Sequence, residues 1–134
     1  MILKSYEVEK IKNINLNFYL LYGENEGYKN QIIKNVLSLG FKENIIRYDE
    51  SNVINNLDDF NSQITNESFF DNKKIIIISR ATDKINKVLE DFFDKKFKDI
   101  RIVINAGALD KKSKLRIIFE KKKNLVCIPV YSDD

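Results

Sequence analysis

Several residue types are missing from this chain or nearly so, and each absence removes a class of chemistry. There is no histidine, and the single cysteine is Cys127. Zinc centres built from Cys and His are therefore excluded, as are His-based catalytic triads. Any catalysis would fall to carboxylates, lysines and hydroxyls. One cysteine cannot form an internal disulfide, and its setting, Leu-Val-Cys-Ile-Pro, reads as a small buried hydrophobe in a protein of the reducing cytosol. No apolar run approaches the about 20 residues needed to span a bilayer, and the first residues lead into charged ones rather than an apolar leader segment. Nor is there a strong excess of charge: 23 Lys and Arg stand against 20 Asp and Glu, a net +3. That balance does not argue for nucleic-acid binding by itself. Repeats, low-complexity tracts and linkers are also lacking.

What is present is 134 residues of ordinary globular composition, 43% hydrophobic and 32% charged, the size of one domain with one core. Residues 1–15 form a mixed, charged lead-in, extended or partly helical. Phe18-Tyr19-Leu20-Leu21-Tyr22 is the first strand, stopped by Gly23. A turn through Gly27 follows, then a helix with Tyr28, Ile32, Ile33, Val36 and Leu37, closed by Gly40. A weaker strand covers 44–49 nearer the sheet edge. Ser51-Asn52 could cap a helix whose stripe is Val53, Leu57, Phe60 and Ile64.

Ile75 to Ile78, led in by Lys73-Lys74, is an unbroken β-branched run. Such a strand is buried on both faces and is expected in the middle of the sheet. Thr82-Asp83 opens a helix carrying Ile85, Val88, Leu89, Phe92 and Phe93, the clearest amphipathic pattern in the chain. A fourth strand spans 99–104. Asp110 is expected to cap a last helix with Leu115, Ile118 and Phe119, and a fifth strand spans 125–129, ended by Pro129. Strict alternation of strands and helices predicts an α/β fold: three layers, a mainly parallel five-stranded sheet, helices on both faces.

Three groups of residues are candidate sites. Gly23, Gly27 and Lys29 sit where a phosphate loop would. That motif needs Gly-x4-Gly-Lys-Ser/Thr, so that lysine reaches the phosphates and a hydroxyl holds magnesium. Here the glycines are one residue too close, Tyr28 replaces the lysine, and Glu24 and Glu26 bring negative charge. The segment is a plain strand-to-helix turn or a disabled phosphate loop. Ser79-Arg80 also stands where a metal-holding acid pair would follow the isoleucine strand. Lys111, Lys112 and Lys114, with Arg116 and Lys121 to Lys123, give a basic helix, either a solvated face or a contact for DNA phosphates. No aromatics interleave with them as on a single-strand stacking platform. Phe69-Phe70, just before the isoleucine strand, is either a core plug or an exposed binding knob. No acid stands opposite a base.

Three stretches together resemble the N-terminal domain of the delta subunit of bacterial DNA polymerase III. They are Tyr19 to Tyr28; Ser68-Phe69-Phe70-Asp71-Asn72-Lys73-Lys74 with the isoleucines; and Leu109 to Leu115 running on to Val126-Cys127-Ile128-Pro129. The resemblance implies an AAA+ (P-loop-like) fold with a degenerate nucleotide site, residues 1–134 being a single N-terminal domain from which the family's lid and helical collar are absent. It implies a non-catalytic clamp-loader component that needs no cofactor or metal. Glu67, Ser68, Phe69 and Phe70 would grip the sliding clamp and help open the ring for loading onto primed DNA, with Phe69 standing where the family commonly has leucine. Partners would be the clamp, other loader subunits reached mainly through the collar, and DNA. The isolated domain is expected to be a cytoplasmic monomer. The competing readings are a divergent P-loop-like NTPase or nucleotide kinase, against which the missing motif chemistry counts, and a stand-alone DNA-binding domain, against which the charge balance counts.

Overall fold

The computed structural model describes residues 1–65 and 73–131. Five parallel strands form one sheet: β1 (Phe18–Tyr22), β2 (Ile45–Asp49), β3 (Lys74–Ala81), β4 (Ile100–Ala106) and β5 (Leu125–Pro129), in the order β2-β3-β4-β1-β5. The isoleucine strand is therefore interior, between β2 and β4, but the middle of the sheet is β4. An unbroken apolar run reports burial on both faces, not rank across the sheet. Here β1, β3, β4 and β5 all carry such runs. Strand β2, with its exposed and half-buried pattern, is at the edge as its weaker apolar content suggests. The opposite edge, β5, is covered by the chain start: Leu3 N–H donates to the Cys127 carbonyl and Cys127 N–H to the Met1 carbonyl, each at 2.8 Å. Burial pushes the Cys127 thiol up to about 12, consistent with a cysteine that serves as packing.

Helices cover both faces. One layer holds α2 (Glu50–Asn55), α3 (Leu57–Thr65), α4 (Lys84–Leu89) with a short 3₁₀ extension, and α5 (Lys114–Lys121), enclosing Val53, Phe60, Ile85, Phe93, Leu115 and Phe119. Phe93 stands edge-on to both Phe18 and Phe119, with ring centroids 5.1 and 5.4 Å away. The other layer is a 3₁₀ helix (Ser5–Asn13) and α1 (Glu26–Ile32), which continues as a π-helical turn over Ile33–Leu37. The topology explains the division. The steps β2 to β3, β3 to β4 and β4 to β5 all move one way across the sheet, and their helices share a face. The step β1 to β2 moves the other way, so its right-handed crossover puts α1 on the opposite face.

Helix starts differ from the sequence expectation where a different polar side chain takes the cap. Asp49 is the residue that precedes α2, and of the expected pair Ser51-Asn52 it is Asn52, inside the first turn, whose Oδ1 accepts from Asp49 N–H at 3.2 Å. The helix then breaks at Asn56, whose backbone is non-helical. The break shifts the phase, leaving Leu57 exposed while Val53, Phe60 and Ile64 are buried. Helix α5 is capped by Ser113, whose Oγ accepts from Arg116 N–H at 3.2 Å, rather than by Asp110. Asp110 instead shapes the preceding turn by accepting from Lys112 N–H at 2.8 Å. At the other end of α5, the Met1 ammonium donates to the carbonyls of Phe119, Lys122 and Leu125 at 2.7–2.9 Å, satisfying acceptors a helix end leaves open. The π-helical segment ends at Leu37 with Ser38 as its C-cap, so Gly40, expected to close the helix, lies two residues further on, at φ +86° in the following turn.

Candidate functional site

Open parallel sheets place ligands beyond the carboxyl ends of the strands, where neighbouring strands send their connections in opposite directions. That point lies here between β1 and β4, since α1 and α5 pack on opposite faces. Gly23 ends β1 at φ +133°, and its N–H donates to the Gly107 carbonyl at 3.0 Å. A Cβ at this position would lie 1.8 Å from the Val130 carbonyl oxygen, so only glycine fits. The turn is shorter than the sequence suggests. Asn25 caps α1 by accepting from Tyr28 N–H at 3.0 Å, which places Gly27 inside the first turn of the helix. A helical Gly27 cannot serve as a loop glycine around a phosphate.

Lys29 is fully buried. Its Nζ donates to the Ala106 carbonyl at the end of β4 (2.6 Å) and pairs with Glu26 Oε2 (2.8 Å). Glu26 Oε1 in turn accepts from Asn105 Nδ2 at 3.0 Å. The hydrogen bond from Lys29 is the main reason the Glu26 carboxyl is held below the usual carboxylate range, with Asn105 adding to it. A buried ammonium must be paired and hydrogen-bonded to be tolerated, and this one has both from its own chain. A phosphate entering the crevice would have to displace the Glu26 carboxylate from its lysine. Gly23 and Lys29 are thus brought to the switch point, while Gly27 is spent within the helix.

The basic segment divides in two. Lys111 and Lys112 lie in the turn before α5, not on a helix, and Lys114 is its first residue; all three are exposed, and none forms an ion pair among the described residues. Further along, Arg116 bonds Glu120 and the Leu109 carbonyl, and Lys122 pairs with Asp94, so these cations serve the fold. The first amides of α5 are already occupied. Asp83, from the start of α4, accepts from Ser113 Oγ (2.6 Å), Lys114 N–H (3.1 Å) and Leu115 N–H (3.3 Å). Desolvation alone would raise the Asp83 carboxyl; the Ser113 hydroxyl and the two amides outweigh it and hold it low. The remaining candidates, Glu67, Ser68, Phe69 and Phe70, lie outside the described residues.

Sequence reasoning missed Glu26, Asn105 and Asp83 as members of these networks. The i, i+3 spacing of Glu26 and Lys29 was a usable signal for an ion pair on one helix face. Asn105 and Asp83 act across elements, which no local pattern announces.

Fold and site define a three-layer α/β domain in which the buried lysine at the switch point is already held by a glutamate of its own helix and a carbonyl of β4. No curated protein matches the chain. The sequence does match the family model described as DNA polymerase III, delta subunit, over residues 19–128, and the chain belongs to that family. Membership assigns it to the clamp loader of DNA replication, whose delta subunit is a non-catalytic component of DNA polymerase III. Among the described residues no helix is long and apolar enough to cross a membrane, and no cluster of acidic or sulfur side chains could hold a metal.

Proposed function

We propose that this chain grips the sliding clamp and helps open the ring for loading onto primed DNA, acting by binding and without catalysis, metal or cofactor of its own. The observation that carries the reading is the family match, which spans both the strand–turn–helix at Gly23 and the connection before β3. Glu67, Ser68, Phe69 and Phe70 form the gripping element. Aromatic side chains on a rigid scaffold make effective anchors because they desolvate much area at small entropic cost. Ring opening then follows from differential affinity: the domain must bind the open clamp more tightly than the closed one. The all-parallel order, with β1 between β4 and β5, and the Lys29–Glu26 pair support an AAA+-like domain that leaves ATP to other loader subunits. By itself the chain is a cytoplasmic monomer.

Lys111, Lys112 and Lys114 contact DNA phosphates in the assembled loader. With the amides of α5 taken by Asp83, such contacts use lysine side chains alone and weaken steeply with salt. The reading is tested by gel filtration of the domain mixed with the sliding clamp of the same source. Co-elution as a complex is expected, and separate elution at micromolar concentrations of both contradicts it.

A further inference from the structure

At the amino ends of the strands, opposite Gly23 and Lys29, a cavity of about 440 Å³ lies between the segment before β1, the turn after the π-helical segment and the start of β4. Its charged lining is Lys12, Lys73 and Arg101 against one acid, Asp99. Lys12 is partly committed, paired with Glu9 at 2.8 Å. Lys73 is exposed and forms no ion pair among the described residues.

Arg101 is the centre of this cavity. Its guanidinium lies between the rings of Tyr19 and Phe41, 4.9 Å from each centroid. Nη1 donates to the Leu37 carbonyl at 2.8 Å, closing the end of the π-helical turn. That accounts for one N–H out of the five a guanidinium carries, and a hydrogen bond with the Tyr19 side chain engages a second. Nε is buried with no partner among the described residues, and no carboxylate among them pairs with the group. A half-buried cation with donors left open is costly unless something anionic meets it. Contact with both rings restricts the guanidinium, and a restrained guanidinium suits contact with an oxyanion.

The space exceeds what a bare phosphate fills and falls in the range of small-molecule sites, and its walls beyond the cations include Leu16 and Phe41. We infer that this cavity binds a small phosphorylated molecule, its phosphate met by the Arg101 guanidinium and by Lys73, its apolar remainder against Phe41 and Leu16. The site lies at the opposite end of the sheet from Lys111, Lys112 and Lys114, and its occupation requires neither clamp nor DNA.

The test is a ¹H–¹⁵N NMR titration of the whole chain with inorganic phosphate and with phenyl phosphate at constant ionic strength. Saturable shifts of the Arg101 Nε–H signal and of the Phe41 and Lys73 amides are expected, with phenyl phosphate binding more tightly. Arg101→Lys, which keeps the charge and loses the fork, should weaken binding about tenfold or more. Lys73→Ala, at an exposed position, should weaken it severalfold and decides the matter if the first variant does not fold. Shifts that fail to saturate, that are equally large at Lys111 to Lys114, or that survive unchanged in a folded Lys73→Ala variant overturn the assignment.

Discussion

The two glycines of the first turn show how much one backbone angle decides. At Gly23 a Cβ would strike the Val130 carbonyl oxygen and the backbone sits at φ +133°. Gly23→Ala should therefore destabilise the domain by well over about 1 kcal/mol, read as a lowered urea midpoint. At Gly27 the nearest atom to an added Cβ is Asn25 Oδ1 at 3.8 Å, and the residue is helical. Gly27→Ala should leave stability unchanged or raise it by about 0.5–1 kcal/mol, because alanine is the better helix former. A loop glycine wrapped around a phosphate would show the opposite. The sequence distinguishes neither case, since both residues read simply as turn glycines. For Lys29 the i, i+3 spacing from Glu26 signals the ion pair, but only the end of β4 reveals the carbonyl that buries it.

At the scale of elements, periodicity told where helices and strands lie, and the corrections concern their ends. Apolar stripes report packing of several turns at once, whereas a cap is one hydrogen bond that a neighbouring Ser, Asp or Asn can take over. Helix α5 is the clearest case, with its N-terminal amides shared between its own Ser113 and Asp83 of α4. Asp83→Ala should cost about 1 kcal/mol at neutral pH. Its sign with pH is fixed by the carboxyl being held below its ordinary value. The stabilisation is complete above the unfolded carboxyl's pKa, near 4, and is lost as pH falls through the lower folded value. Urea midpoints of the two proteins should hence differ at pH 7 and converge once pH has fallen through the lowered folded value; a constant gap would mean the loss is packing rather than charge.

For the whole molecule, fold class, parallel pairing and two-sided helical cover were all legible, because alternation of elements and doubly buried strands leave few other arrangements. Strand rank was not legible: β3 and β4 are equally apolar, and only the crossovers place β4 at the centre. The proposed function belongs to this scale too, because it assigns the grip on a ring to Phe69 and Phe70. Calorimetry of the domain against the sliding clamp of the same source, wild type beside Phe69→Ala/Phe70→Ala, tests it most directly. Micromolar or tighter binding that vanishes in a folded double variant is the expected result. Absence of binding by the folded wild type, or undiminished binding by the folded variant, would contradict the account.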